Sequence, residues 1–288
     1  MPELPEVETT VRDLRPYLVG RTFVGATVRW KRTIATPSAA KFAKQIQGNK
    51  IIAMTRRGKH LVFHLRRADI TRYMFVHLRM TGGFRIDPRN APRDKHMHVC
   101  FQLDNGKELR FRDTRKFGRM WLVDDPDQVV GKLGPEPLEI SSREFHKLFE
   151  TRRGNLKPLL LDQTFLAGVG NIYADESLWY ARLHPLRKAE TLTREERGRL
   201  YRAIRQVLTR AIAMGGTSID VMYTRVNGVS GGFQDSLRAF DREKRPCRRC
   251  GTPIQKTVVG QRGTHFCPTC QRMGDHQGRP YKRSTNKL

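Results

Sequence analysis

The 288-residue sequence predicts a multidomain α+β protein. Three observations carry that prediction. Short β-rich runs separated by turn residues fill the first ~130 residues, as in a sandwich or barrel. Helical periodicity replaces them after a proline-punctuated stretch, LGPEPLE, at 133–139. Two Cys-x2-Cys pairs then stand near the C-terminal end, at Cys247/Cys250 and Cys267/Cys270.

In order, residues 5–18 read as one helix. The runs RTFVGATVRW, KIIAMTRR, KHLVFHLR, RYMFVHLRM, MHVCFQL, KELRFRD and RMWLVDD read as strands, with turns at Asp104-Asn105-Gly106 and Thr81-Gly82-Gly83. Beyond the linker, SSREFHKLFE, NLKPLLLD, NIYADESLWYARL and TREERGRLYRAIRQVLTRAIAMG read as helices, the last stopped at Gly215-Gly216. DQTFLAGVGNIYADESLW reads as helix, glycine-rich turn, helix, with Asn171 placed to cap the second helix and a phosphate welcome at its N-terminus. The polar, glycine-rich stretch 217–236 is long for a connecting loop, which points to function or mobility. Four segments result: an N-terminal β-sandwich domain at 1–134, a helical domain at 135–236, a cysteine module at 237–271, and a basic tail at 272–288 whose composition reads as disordered.

Lys and Arg total 55 against 28 Asp and Glu, a formal net charge of +27 spread along the chain. Such a surface suits a polyanion, nucleic acid before acidic lipid. No apolar run approaches the ~18 residues of a membrane span, and the acidic, proline-bearing start is no export signal. A reducing, cytoplasmic setting follows, in which the cysteines are thiols or metal ligands and not disulfides.

Sixteen residues separate the two cysteine pairs, a spacing expected of a four-cysteine zinc site. Each pair gives two thiolates from one tight turn, and two pairs close a tetrahedral shell around one structural zinc. The residues between them read as a hairpin turning at Gly260-Gln261, with Arg262 at its tip to meet a phosphate or to stay solvated. Cys100, in an apolar strand, reads as a buried inert thiol.

The chain begins MPELPEVE. With Met1 removed, Pro2 would carry a secondary amine, and an α-amino group titrates near ~7.7–8.0, low enough to be partly unprotonated at neutral pH. Such an amine can form an iminium at an electrophilic carbon, with a neighbouring carboxyl, Glu3, moving the proton. A stiff solvated terminus is the plainer alternative. DTRKFGRMW sets Arg115, Lys116 and Arg119 around Phe117, and HLRMTGG sets Arg79 beside Met80. Both suit an apolar wedge flanked by cations that unstacks a duplex, and both suit ordinary core. KHMH offers His96 and His98 as phosphate donors. Lys59 stands just before a strand, where a lysine is usually solvated.

Together MPELPEVE, RRGKHL, HLRMTG, DTRKFG, LGPEPL, LLLDQTFLAGVGNIYADE and PCRRCG…GQRGTHFCPTCQ resemble the bacterial formamidopyrimidine-DNA glycosylases, within the larger group that includes the endonuclease VIII type. The resemblance runs from Met1 to about Gln271. It implies an N-terminal β-sandwich, a helix–two-turns–helix domain and a zinc finger, with DNA held in the cleft between the lobes. It implies a bifunctional DNA glycosylase and abasic-site lyase of base excision repair, acting on duplex DNA that carries oxidised bases or abasic sites; a monomer is expected. By this resemblance Pro2 is the nucleophile at C1′ and Glu3 the acid for the sugar ring oxygen. Lys59 assists, and Arg262 grips the phosphate during β- and δ-elimination. His96, Arg115, Arg152 and Asn171 match backbone contacts, and Met80, Arg115 and Phe117 match the group that fills the hole left in the duplex. Glu6 and Tyr223 are candidates for the lesion pocket, with the loop 217–236 closing over the flipped base. Leu4 and the HLRMTG and DTRKFG turns favour 8-oxoguanine and ring-opened purines. The alternatives are an endonuclease VIII-like enzyme for oxidised pyrimidines and a non-catalytic damage-binding protein. The tail past Gln271 departs from the family pattern and reads as added nonspecific DNA affinity.

Overall fold

The computed structural model describes residues 1–219 and 223–273. The chain forms two compact units, residues 1–133 with 211–234, and residues 134–210 with those from 235 on.

The first unit opens with α1 (Leu4–Leu18), whose start is written in the sequence. Glu3 caps the helix, accepting the Glu6 backbone N–H while Glu6 reaches back to the Glu3 N–H, and Pro5 occupies the first turn. Val7, Val11, Leu14 and Leu18 recur at helical spacing and are fully buried. There follow β1 (Phe23–Val28), β2 (Ile34–Thr36), α2 (Ala39–Ile46), β3 (Lys50–Arg57), β4 (His60–Arg67), β5 (Ile70–His77), β6 (Gly82–Pro88), β7 (Met97–Leu103), β8 (Lys107–Asp113), β9 (Arg119–Val123) and a short α3 (Asp127–Val130).

The strands make two sheets, ordered β1-β7-β8-β6 and β2-β9-β5-β4-β3. One buried cluster joins α1 to both, with Phe23, Phe101 and Phe111 from the first sheet and Phe63, Leu65 and Met74 from the second. This is the predicted β-sandwich. Two of its elements differ from the sequence reading. Residues 39–46 form a helix, because Ser38 caps it and Phe42 and Ile46 bury one face. Gly82 and Gly83 are not a turn but the start of β6, paired with Asp113 and Arg112 of β8. The turn lies just before them, at 79–81. Gly82 is needed because a Cβ there would stand 2.4 Å from the Leu78 carbonyl oxygen.

Residues 211–234 join this unit by hydrogen bonds onto α1. The Thr217 N–H donates to Glu6 Oε1 at 2.8 Å, and Arg225 forms a two-pronged ion pair with Asp13.

The second unit holds α4 (Ser142–Lys147), α5 (Leu156–Leu161), α6 (Asn171–Ala181), most of α7 (Arg194–Ala213), and an antiparallel hairpin of β10 (Gln255–Val259) and β11 (Arg262–Phe266). Between α5 and α6 the chain is not helical. It turns twice, stapled by the Gln163 side chain, which donates to the Leu161 and Val169 carbonyls and accepts the Gly168 N–H. Asn171 does not cap α6. Gly170 is the cap residue, and the Asn171 side chain points elsewhere. Among the described residues no helix is long and apolar enough to cross a membrane. The expected loop 217–236 lies outside the described residues at 220–222, as does the tail from 274.

Candidate nucleic-acid interface and active site

In the first unit, the start of α1 holds Pro2, Glu3 and Glu6, all buried. Glu6 organises this corner. Its Oε2 accepts the Glu3 N–H at 2.8 Å, its Oε1 accepts the Thr217 N–H at 2.8 Å, and its backbone carbonyl accepts the Tyr223 hydroxyl at 3.3 Å. Gly216 lets the chain lie this close. Its φ is +79°, and a Cβ there would come within 2.9 Å of Glu6 Oε1. Burial, then Glu6, pushes the Tyr223 phenol well above its ordinary range, so it stays a neutral donor.

Lys59 sits with Gly58 in the two-residue turn closing the β3–β4 hairpin, where Arg57 pairs with His60. It is not a solvated strand end, being only 7% exposed. His60 and His77 pair across β4 and β5 and meet edge to face, 4.9 Å between centroids. Burial holds both neutral, His60 at about 4 and His77 at about 2.

The two wedge candidates stand on neighbouring turns. Met80 is half-buried between β5 and β6, and Phe117 is exposed between β8 and β9 with the Arg115 guanidinium 4.9 Å above its ring. Phe117 is not core at 49% exposure. Asp113 ties the turns together through Thr81, Arg115 and Gly118. His96 is half-buried near the surface, whereas His98 is no phosphate donor. It is buried with Nε2 2.7 Å from the Asp113 carbonyl oxygen.

In the second unit, Arg152 reaches Asp162 at 3.5 Å beside the double turn. Arg262 is exposed at the hairpin tip, as its position opposite Val259 requires. The tip is held from below. Lys157, fully buried, donates to the Gly263 carbonyl at 2.8 Å and pairs with Asp175 at 2.7 Å. Asn171 Nδ2 donates to the same carbonyl at 3.1 Å, and Asp175 Oδ2 accepts the His265 N–H at 2.9 Å. Asn171 is thereby tied to the hairpin that carries Arg262. Sequence reasoning missed Lys157, Asp175 and Asp113. Each is a charged residue inside a quoted motif, but only the fold shows what it touches.

The four sulfur atoms of Cys247, Cys250, Cys267 and Cys270 lie within 4.8 Å of one another. A tetrahedral zinc with Zn–S near ~2.3 Å sets sulfurs about 3.8 Å apart. The set therefore fits one closed, structural zinc, with Trp179 Nε1–H donating to Cys247 Sγ at 3.4 Å. Cys100 lies apart, buried in β7, where burial raises its thiol.

Comparison with known proteins agrees with this geometry. Residues 1–120 match the formamidopyrimidine-DNA glycosylase N-terminal domain, 133–223 the formamidopyrimidine-DNA glycosylase H2TH domain, and 245–272 the zinc finger found in FPG and IleRS. The chain is 42% identical over 278 residues to the formamidopyrimidine-DNA glycosylase of Protochlamydia amoebophila, covering 94% of this chain and all of the relative. It is 44% identical to that of Deinococcus radiodurans, covering 94% and 97%. Among solved structures, an FPG mutant from Lactococcus lactis in complex with a Fapy-dG containing DNA superposes with a TM-score of 0.86 at 37% identity, covering 94% of this chain and all of that one. The MutM (FPG) protein of Thermus thermophilus superposes at 0.84 with 42% identity, covering 95% and 100%. With all three domain models and these full-length relatives in agreement, the chain belongs to the formamidopyrimidine-DNA glycosylase family.

Proposed function

We propose that this chain excises oxidised purines from duplex DNA and then cuts the strand, with Pro2 as nucleophile and Glu3 as its acid. The observation that carries the reading is the capping box at α1, which fixes Glu3 beside Pro2 and buries both. A helix N-terminus carries partial positive charge, so it disfavours a protonated amine at Pro2 once Met1 is removed.

The target carbon lies inside the base stack, so the nucleotide must be flipped out at a cost of a few kcal/mol. Met80 and Phe117 on adjacent turns fill the gap, and Arg115, His96, Arg152 and Asn171 hold the bent backbone. Pro2 nitrogen attacks C1′, and the base departs with the glycosidic electron pair. Glu3 protonates the ring oxygen, the sugar opens, and a C1′ iminium remains. Loss of a C2′ proton breaks the bond to the 3′ phosphate, and a second elimination releases the 5′ phosphate. Lys59 assists these steps, and Arg262 stabilises the departing phosphate charge. Zinc supplies no step. Its closed shell keeps the Arg262 hairpin folded. Glu6 and Tyr223 shape the floor on which a flipped base would rest.

The relatives support the substrate class, since Lactococcus lactis FPG is described in complex with Fapy-dG DNA and with abasic DNA. A second reading has its own support, because the same relative is described with DNA containing an oxidised pyrimidine. Borohydride reduction with an 8-oxoguanine·cytosine duplex, with thymine glycol in parallel, tests both. A covalent adduct mapped to Pro2 supports the mechanism, and the larger yield assigns the substrate. DNA binding without any adduct, from protein with a confirmed Pro2 terminus, rejects it. The protein acts as a monomer in the cytoplasm, on the chromosome. Sedimentation and cell fractionation check those two points.

A further inference from the structure

We propose that His77 is a positioning residue for Met80, setting the aim of that side chain when the duplex is opened. The inference rests on the reading of Met80 as a wedge.

β5 ends at His77 and β6 begins at Gly82, leaving Leu78, Arg79, Met80 and Thr81 to make the turn. Arg79 adopts φ +58°, a left-handed conformation that non-glycine residues avoid. Such a residue persists only where its surroundings hold it. Here its N–H donates to His77 Nδ1 at 3.0 Å, and the Gly82 N–H closes the turn onto the Leu78 carbonyl at 3.0 Å. The far side is held by Thr81, which donates to Asp113 and accepts the Arg115 N–H at 3.1 Å. Met80 therefore stands between two anchored neighbours.

The bond to Arg79 needs a lone pair on His77 Nδ1, and the site guarantees one. The imidazole is 8% exposed, stacked edge-on with His60, with the cations of Arg79 and Lys59 nearby. Each of these disfavours the imidazolium. His77 thus offers a permanent acceptor to the residue before the wedge.

Two polar replacements separate positioning from bulk structure. The Oδ1 of His77→Asn falls near the position of Nδ1 and keeps the acceptor, while His77→Gln moves its amide toward the Nε2 position and loses it. Single-turnover excision would be measured on an 8-oxoguanine·cytosine duplex, alongside strand cutting at a preformed abasic site, with Met80→Ala as reference and thermal unfolding as control. Excision by H77Q should fall about tenfold or more, in line with the cost of misplacing a reacting geometry. Cutting at the abasic site, which has no base to unstack, should be unchanged, and H77N should retain near-normal excision. M80A should likewise slow excision. If M80A is slow on 8-oxoguanine but H77Q matches the unaltered protein, the positioning inference is wrong. If H77Q and H77N are equally impaired, or H77Q slows both substrates alike, His77 is merely structural. If M80A itself excises normally, the wedge reading fails, and the inference fails with it.

Discussion

The Asp113 carboxylate and the Thr81 hydroxyl, 32 residues apart, are joined by a 2.5 Å hydrogen bond. The same carboxylate accepts the Arg115 N–H at 3.2 Å and the Gly118 N–H at 2.7 Å. One buried side chain thus holds both turns that carry the wedge candidates Met80 and Phe117. Asp113→Ala leaves a buried Gly118 N–H without its acceptor, and should cost about 1–3 kcal/mol of stability. Chemical denaturation measures the loss, and excision of 8-oxoguanine should fall more than strand cutting at abasic sites.

Gly216→Ala should be destabilising by about 1–2 kcal/mol, because an L residue is strained in the left-handed region. The added methyl would also press on Glu6 Oε1, 2.9 Å from the built position. The variant should lower Pro2 adduct formation on 8-oxoguanine DNA. A melting temperature equal to that of the unaltered protein would refute the strain argument.

Removal of zinc should unfold the hairpin that presents Arg262. Trp179 reports the change, because its ring lies 3.9 Å under the Arg249 guanidinium and its N–H meets Cys247 Sγ. Chelation should shift tryptophan emission and abolish strand cutting together, and added zinc should restore both. Cutting that survives full metal removal would contradict the structural role.

Stability should fall as pH rises through about 7. Glu176 is fully buried, and burial raises it to about 7 despite backbone N–H donors at Arg238, Ala239 and Phe240. The folded chain therefore keeps a proton that the unfolded chain releases above its ordinary range near ~4.3. The contribution is full below that range and is lost on reaching the folded value, roughly 4 kcal/mol in all. Glu176→Gln should flatten the slope of unfolding free energy between about pH 4 and about pH 7, the two ends of that window. An unchanged slope would assign the pH dependence elsewhere.

Deletion of residues 273–288 removes four Lys and Arg and one Asp. If these cations meet phosphates, log affinity against log salt should become shallower, by about 0.9 for each phosphate that the tail neutralises. An identical slope in the truncated protein would remove the tail from the DNA interface.

Much of this protein was legible in its sequence because its signals are local. The capping box is set by Glu3, Pro5 and Glu6, which are neighbours in the chain. Strand alternation, the stop at Gly215-Gly216 and the cysteine spacing are likewise settled within a few residues. The elements misread there depend on distant partners. α2 forms because Phe42 and Ile46 find the sandwich core, and Gly82 is a strand residue because β8 lies beside it. Asn171 has the chemistry of a cap, but Gly170 holds the cap position, and the Asn171 Nδ2 donates instead to the Gly263 carbonyl, 92 residues away. Lys59 reads as solvated and His98 as a phosphate donor in the chain, and both are buried in the fold. The sequence by itself determined which chemical groups are present and the family to which they belong. The tertiary structure decided which of those groups touch, because a hydrogen bond such as Asp113 to Thr81 or Glu6 to Thr217 is set by packing in space and leaves no periodic trace in the chain.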